Sequence, residues 1–293
     1  MTDYLQFLIA GLTMGAVYAL VGLGYHIIIR ATRAINFAQG DQVVMGGLIA
    51  LTFINGAKFP LFIAVVLSLV IGGVIGLAYE RLALRPTYKT GQISTVIASI
   101  GVSLFFFHGQ GLVWGKEAQA FPPFTVGQND VVNVLCAKVL VQSLWAFGLL
   151  ALSLIVLNLF FERTIYGKAM QAAATNELGA QLSGISPNRM KAYSVGLASA
   201  LASLAGVMIA PFTLAGGALA MPIGIKGFAG AMVGGLGSPI GVVAGGLIVG
   251  VVESFAAGLL ASGYRDPVAF SLLLLVLLFR PSGLFGSESK SRG

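Results

Sequence analysis

The sequence predicts an all-α integral membrane protein, a polytopic helical bundle of eight or nine transmembrane helices in which some helices are short or broken. Hydrophobic residues make up 57% of the 293 positions and charged residues only 9%, whereas a soluble domain carries about 25% charged residues. The apolar residues are gathered into runs, and a spanning helix needs about 20 such residues. So few charges cannot cover a water-facing surface, so we expect residues 1–293 to form one transmembrane domain.

Nine apolar runs account for the predicted helices. They lie at about 4–29, 42–55, 60–79, 92–113, 139–161, 193–215, 223–236, 240–262 and 268–279. The second and seventh runs hold roughly 14 residues each, which is short for a full crossing. We therefore interpret these two as re-entrant or broken helices, and both eight and nine spans remain open.

The basic residues predict how the chain is oriented. They follow the first, third and fifth runs, whereas the loops after the second and fourth runs are nearly neutral. The positive-inside rule then places the segments 30–41, 80–91 and 162–192 in the cytoplasm and the N-terminus outside. If all nine runs cross, the C-terminus is also cytoplasmic. Because Asp3 and no basic residue precedes the first run, we expect that run to be a retained span and not a signal peptide.

Glycine spacing predicts close packing between the helices. Many of the 40 glycines lie four residues apart within apolar runs, as do Gly11 and Gly15 or Gly246 and Gly250. This spacing puts small residues on one helix face, where two backbones can approach closely in a membrane. It predicts a compact bundle and says little about function.

Few residues have the chemistry of an enzyme. The two histidines, His26 and His108, are far apart and form no metal-binding motif. Neither a nucleophile elbow nor a phosphate-binding loop is present, so we expect no metal, no cofactor and ATP binding only on another chain. The single cysteine, Cys136, excludes an intramolecular disulfide. The basic residues lie in short loops and form no nucleic-acid-binding face.

A polar segment interrupts the chain between the first and second runs. Asn36 and Gln39 have the spacing of a helix-capping box, which predicts a cytoplasmic turn that caps the second span. The alternative is a broken helix in which Asn36, Gln39 and Asp41 line a polar path and are partly accessible to water. The short second run favours this alternative.

Glu253 is the one acid deep within an apolar run. An ionised carboxylate in hydrocarbon is costly, so we expect Glu253 to face other helices and to have a partner or a proton. Its role is either structural, through hydrogen bonds to neighbouring helices, or part of a substrate pathway.

The segment 162–192 predicts a helix outside the spans. It is rich in alanine, including Ala172 and Ala173, and Gly184 and Pro187 stand near its end. This pattern indicates a short helix that stops at the glycine and proline. Such a helix either docks a soluble partner or lies on the membrane surface.

Five stretches together resemble the LivH-type permease subunits of bacterial ABC importers for branched-chain amino acids and related small polar solutes. The stretches are Ile35–Asp41, Glu80–Pro86, Arg163–Ile185, Gly234–Gly241 and Leu278–Gly286. The resemblance runs almost end to end. Many relatives have His and then Glu in the first stretch, where this chain has Gln39 and Asp41, which argues against a titrating role at position 39.

The resemblance implies a multi-pass protein of the bacterial inner (cytoplasmic) membrane that works by alternating access. The implied partners are a second LivH/LivM-type permease or a second copy of this chain, two cytoplasmic ATP-binding subunits and an extracytoplasmic solute-binding protein. It also implies that the segment 162–192 docks into an ATPase. The residues proposed for that contact are Arg163, Gly167, Ala172, Ala173, Gly184, which ends the helix, and Ile185, an apolar anchor. The competing hypothesis is a stand-alone ion-coupled secondary transporter that relies on Glu253; the sequence does not identify the solute.

Overall fold

A computed structural model of the chain describes residues 2–125, 131–134 and 137–286, and it confirms the polytopic helical bundle. Within these ranges, eight helical segments are long and apolar enough to cross a membrane. The helices are α1 Thr2–Thr32, α2 Gln39–Asn55, α3 Leu61–Tyr79, α4 Gln92–Val113, α5 Val141–Arg163, α6 Ile165–Thr175, α7 Glu177–Leu182, α8 Pro187–Thr213, α9 Ala220–Gly234, α10 Pro239–Leu259 and α11 Arg265–Phe279. Cys136 lies outside the described residues.

Shorter elements lie between these helices. A π-helical turn, Glu80–Leu84, and a 3-10 helix, Arg85–Lys89, continue α3. An antiparallel hairpin of β1 Val131–Val134 and β2 Ala137–Leu140 precedes α5.

The long first helix lies at the centre of the bundle. Residues Ala16 to Ile28 of α1 are buried against α8, α9 and α10. Glycines allow these close contacts, as predicted: a Cβ on Gly15 would lie 2.7 Å from the Leu247 Cα, and one on Gly250 would lie 2.4 Å from the Gly11 carbonyl oxygen. By contrast, α4, α5 and α11 expose large apolar side chains such as Phe105 and Leu278. These helices, together with the outer face of α3, therefore form the periphery.

The two short runs do form broken helices. α2 has 17 residues and follows the non-helical segment 33–38, and α9 follows a 3-10 turn, Gly217–Leu219. The Gln39 amide donates to the Ala198 carbonyl at 3.1 Å. Ala198 lies about 16 Å from the start of α8, at 1.5 Å per residue, so α2 begins inside the bundle and not at its surface.

Most of the interhelical basic residues lie at one end of the bundle, which we call the basic end. It comprises the last turn of α1, the extension of α3, helices α6 and α7, and the start of α8. We call the opposite end, which holds the first turn of α1 and the first turn of α11, the neutral end.

Candidate functional site

The N-termini of α2 and α9 meet in the interior. A Cβ on Gly40 would lie 2.1 Å from the Ala220 carbonyl oxygen, and one on Gly224 would lie 3.1 Å from the Gly40 Cα. Only glycine at position 40 allows this approach. The first N–H groups of a helix lack intrahelical partners and carry partial positive charge. The bundle therefore brings two positive helix ends together far from water.

Asn36 shapes the segment that leads into α2. Its Nδ2 donates to the Tyr79 hydroxyl at 2.7 Å, and its Oδ1 accepts from the Ala38 backbone N–H at 3.2 Å. α2 begins only at Gln39, after Ala38, without a side-chain cap. The predicted capping box is therefore wrong, because Asn36 closes a turn before the helix while Gln39 donates to α8.

Asp41 is the acid of this site. The Ser103 hydroxyl of α4 donates to its carboxylate, and the Gln110 side chain donates to its backbone carbonyl at 3.0 Å. Asp41 lies in the first turn of α2, where a negative charge offsets the helix dipole. The site thus contains one negative group beside two positive helix ends.

Several buried polar atoms of the site lack hydrogen bonds. These are the Gln39 Oε1, the Gln110 Oε1 and the Gln42 amide, which approaches the Tyr79 hydroxyl without reaching hydrogen-bond geometry. Buried polar groups in proteins are generally paired, so unpaired ones call for an explanation. These atoms can pair with another polar molecule, a water or a solute.

The predicted pathway residues are sealed in this conformation. Asn36, Gln39 and Asp41 are 2%, 0% and 4% exposed. The expectation that they are partly accessible to water is therefore wrong here, because α1, α4, α8 and α9 close over them. They lie within the bundle and not in an outer loop.

Glu253 lies in a separate cluster. It is buried in α10, and its Oε1 accepts from the Lys226 ammonium of α9 at 2.8 Å while its Oε2 accepts from the Tyr18 hydroxyl at 2.8 Å. Lys226 also pairs with Asp266 of α11 at 2.7 Å. The expectation that Glu253 faces other helices and has a partner is confirmed. Its contacts join α1, α9, α10 and α11.

The segment 162–192 forms two helices, so the prediction of one helix is corrected. α6 ends at Thr175, and Asn176 starts α7 by accepting a hydrogen bond from the Gly179 N–H at 2.9 Å. An extended asparagine breaks the helix because its side chain competes for the backbone groups. Gly184, with φ of +78°, follows α7 and ends it as predicted.

One face of α6 and α7 packs on the bundle. Gly167 is buried, and a Cβ there would lie 2.2 Å from the Phe160 carbonyl. Ala173 and Ile185 are half-buried against this chain's own core, while Arg163 and Ala172 are exposed. The outward face carries four exposed apolar side chains, which are Ile165, Tyr166, Leu178 and Leu182. We call these four residues the α6–α7 apolar patch.

A series of contacts leads from α7 towards the site. Lys191 of α8 pairs with Glu177 of α7 at 2.9 Å, and its ammonium lies 5.0 Å from the centre of the Tyr88 ring. The buried Glu80 lies near Tyr88 and Lys191. Glu80 directly follows Tyr79, the residue that binds Asn36. The π-helical turn that begins at Glu80 is a type of distortion often found at functional sites.

The chain matches, over residues 7–279, the family described as branched-chain amino acid transport system / permease component. It belongs to this family. The high-affinity branched-chain amino acid transport system permease protein BraD of Pseudomonas aeruginosa is 32% identical over 97% of this chain and 96% of that protein. LivH of Escherichia coli, described in the same words, is 31% identical with the same coverage.

More distant similarities are also found. The ribose import permease protein RbsC of Escherichia coli is 24% identical over 66% of this chain and 57% of that protein. A chain in the solved structure of PsaBC from Streptococcus pneumoniae in complex with Fab aligns with a TM-score of 0.49 and 17% identity, over 94% of this chain and 91% of that chain.

Family membership and the eight candidate spanning segments make this chain a multi-pass membrane permease component. No group of three or more His, Cys, Asp or Glu in the described ranges is placed to hold a metal ion. Sequence reasoning missed Lys226, although a lysine inside the seventh apolar run was a visible signal. It also missed Gln42, Tyr79 and Gln110, because their contacts join residues distant in sequence.

Proposed function

We propose that this permease component imports a branched-chain amino acid, or a related small polar solute, across the bacterial inner membrane by alternating access. In this proposal the basic end of the bundle faces the cytoplasm and the N-terminus lies outside. The observation that carries the proposal is the meeting of the α2 and α9 N-termini beside Asp41. Broken helices whose positive ends point at a solute are a recurring device in transporters.

The site has groups for both charges of an amino acid. The positive helix ends at the start of α2 and α9 suit the carboxylate. Asp41 and the unpaired oxygens of Gln39 and Gln110 suit the ammonium group. A solute in this position satisfies polar atoms that have no partner in the closed bundle.

Because the site is sealed, transport requires the helices around it to separate. A ligand that binds only the opened form shifts the population towards that form. We propose that two ATP-binding subunits drive the opening from the cytoplasmic side, and that an extracytoplasmic binding protein delivers the solute from the other. A second permease of the same type, or a second copy of this chain, completes the complex.

The α6–α7 apolar patch is the proposed docking surface for an ATP-binding subunit. Its four apolar side chains are exposed, beside the exposed Arg163 and Ala172, although the Tyr166 ring also packs edge-on against Tyr193 of α8. Amphipathic helices commonly dock by placing such side chains into a groove of the partner. Ile185 packs on this chain, so the apolar anchor that we first assigned to it belongs to Leu178 and Leu182 in this proposal.

The contacts of Lys191 supply a route for coupling. Docking that moves α7 displaces Glu177, and its ion pair pulls on Lys191 of α8. Lys191 in turn contacts Tyr88, beside the π-helical turn that follows Tyr79. Through Tyr79 the displacement reaches the start of α2.

The test of docking is Leu182→Glu, with Gln181→Glu as the matched control. Gln181 is exposed on the same helix but outside the α6–α7 apolar patch. We expect Leu182→Glu to insert normally, to lose copurification of the ATP-binding subunit and to lose leucine uptake. Gln181→Glu should keep all three. Equal copurification and uptake in the two variants would contradict the docking assignment.

The ion-coupled alternative is tested by the energy source. Glu253 is neutralised by Lys226, which leaves little for a transported cation to bind. In cells with a binding protein and ATP-binding subunits, we expect leucine uptake to stop when ATP is depleted. Uptake that persists without ATP and stops with a protonophore would favour the secondary transporter.

A further inference from the structure

A cavity of about 500 Å³ lies at the basic end, apart from the paired helix N-termini. It is bounded by the last turns of α1 and α5, by α6, and by the start of α10. Its deeper walls are apolar, with Leu23, Ile27, Leu154 and Leu157 among the lining side chains. Such a lining suits a hydrocarbon chain.

Polar groups also line the cavity, near the helix ends. They include the guanidinium of Arg30, the carboxylate of Glu162 and the amide of Asn158. Within the described part of the chain, none of the three forms a hydrogen bond or an ion pair. Asn158 is exposed although it lies about 7 Å before the end of α5, at 1.5 Å per residue. An exposed amide at this position can donate to a polar group of a bound molecule.

We propose that this cavity binds one phospholipid with a zwitterionic, primary-amine headgroup, such as phosphatidylethanolamine. The lipid phosphate pairs with Arg30, since a free guanidinium binds phosphate through two hydrogen bonds. The ammonium group pairs with Glu162, and Asn158 donates to the phosphate or ester oxygens. An acyl chain lies along the apolar wall between α1 and α5.

The charges at the cavity distinguish between lipids. A site for an anionic lipid gathers several basic residues. Here Arg30 is accompanied by Glu162, which repels a headgroup with net negative charge and attracts one with an ammonium group. One positive and one negative side chain are complementary to a headgroup that carries both charges. The bound lipid also contacts Met170 and Gln171 of α6, so it supports the junction of α5 with the docking segment.

The experiment uses the purified full chain in detergent with added phosphatidylethanolamine or phosphatidylglycerol, and native mass spectrometry measures retained lipid. We expect phosphatidylethanolamine to be retained in preference to phosphatidylglycerol, with one molecule per chain. Arg30→Gln should weaken retention about tenfold, the loss expected for a charge-assisted contact. Glu162→Gln should weaken retention of phosphatidylethanolamine but not of phosphatidylglycerol.

The matched control is Arg33→Gln, because Arg33 is exposed near the same helix end but does not line the cavity. A third variant, Ala31→Trp, fills the cavity and should also displace the lipid. Equal retention in Arg30→Gln and Arg33→Gln would overturn the proposal, and so would a preference for phosphatidylglycerol. Both arms use the isolated chain, so their outcome is independent of whether the transport proposal holds.

Discussion

Replacing Lys226 by methionine tests how the broken helix α9 is held in place. Lys226 is 7% exposed and binds two carboxylates, Glu253 at 2.8 Å and Asp266 at 2.7 Å. Methionine is one atom shorter than lysine and removes the charge. Glu253 then retains only the Tyr18 hydroxyl, while Asp266 is 57% exposed at its side chain and can be solvated.

The expected cost follows from what each variant leaves unpaired. An unpaired carboxylate at the centre of a bilayer costs about 2.5–3.5 kcal/mol on insertion scales, and breaking a buried ion pair costs about 3–5 kcal/mol in soluble proteins. Glu253 lies towards the neutral end of α10, where the cost is smaller than at the centre. We therefore expect Lys226→Met to lower the free energy of unfolding by about 2–3 kcal/mol.

The reverse variant should be milder. In Glu253→Gln, Lys226 keeps Asp266 as a partner and the new amide oxygen still accepts from Tyr18. The expected cost is about 1 kcal/mol, the net value of one hydrogen bond. The double variant, Lys226→Met with Glu253→Gln, has no buried charge at position 253, so it should be more stable than Lys226→Met alone.

The assay is reversible unfolding of the purified chain in mixed micelles. The amount of each variant found in the membrane fraction is the control for insertion. Destabilisation by Glu253→Gln that equals or exceeds that of Lys226→Met would refute this reasoning. Additive effects in the double variant would show that the two side chains are not coupled. Normal leucine uptake in a stable Glu253→Gln variant would also remove any role of its charge in transport.

Three further outcomes are expected. Gly40→Ala should insert normally but abolish leucine uptake, because the added Cβ meets the Ala220 backbone. The control Gly109→Ala adds a Cβ in open space and should transport normally. Equal uptake in the two variants would contradict the paired N-termini as the site. Gln42→Leu removes an unpaired amide, so the free energy of unfolding should stay unchanged or rise by about 1 kcal/mol, while uptake falls. A lower free energy of unfolding would instead indicate a structural role for Gln42. Lys191→Met should keep ATPase copurification and lose uptake, and normal uptake would exclude Lys191 from the coupling route.

The sequence by itself determined the membrane-embedded helical class and the position of each apolar run. This was possible because the bilayer acts on local properties: a spanning helix must be apolar over a fixed length and must satisfy its own backbone hydrogen bonds. The interruption before α2, the end of α7 before Gly184 and the burial of Glu253 also followed from local residue chemistry.

Only the tertiary structure decided which polar groups meet. The approach of Gly40 to Ala220, the pairing of Glu253 with Lys226 and the contact of Asn36 with Tyr79 each join separate helices. The capping box failed for the same reason, since Gln39 finds its partner on α8 and not in the neighbouring turn. Helical periodicity specifies which residues share a face, but packing among many similar apolar faces determines which faces touch, and that choice depends on the whole bundle at once.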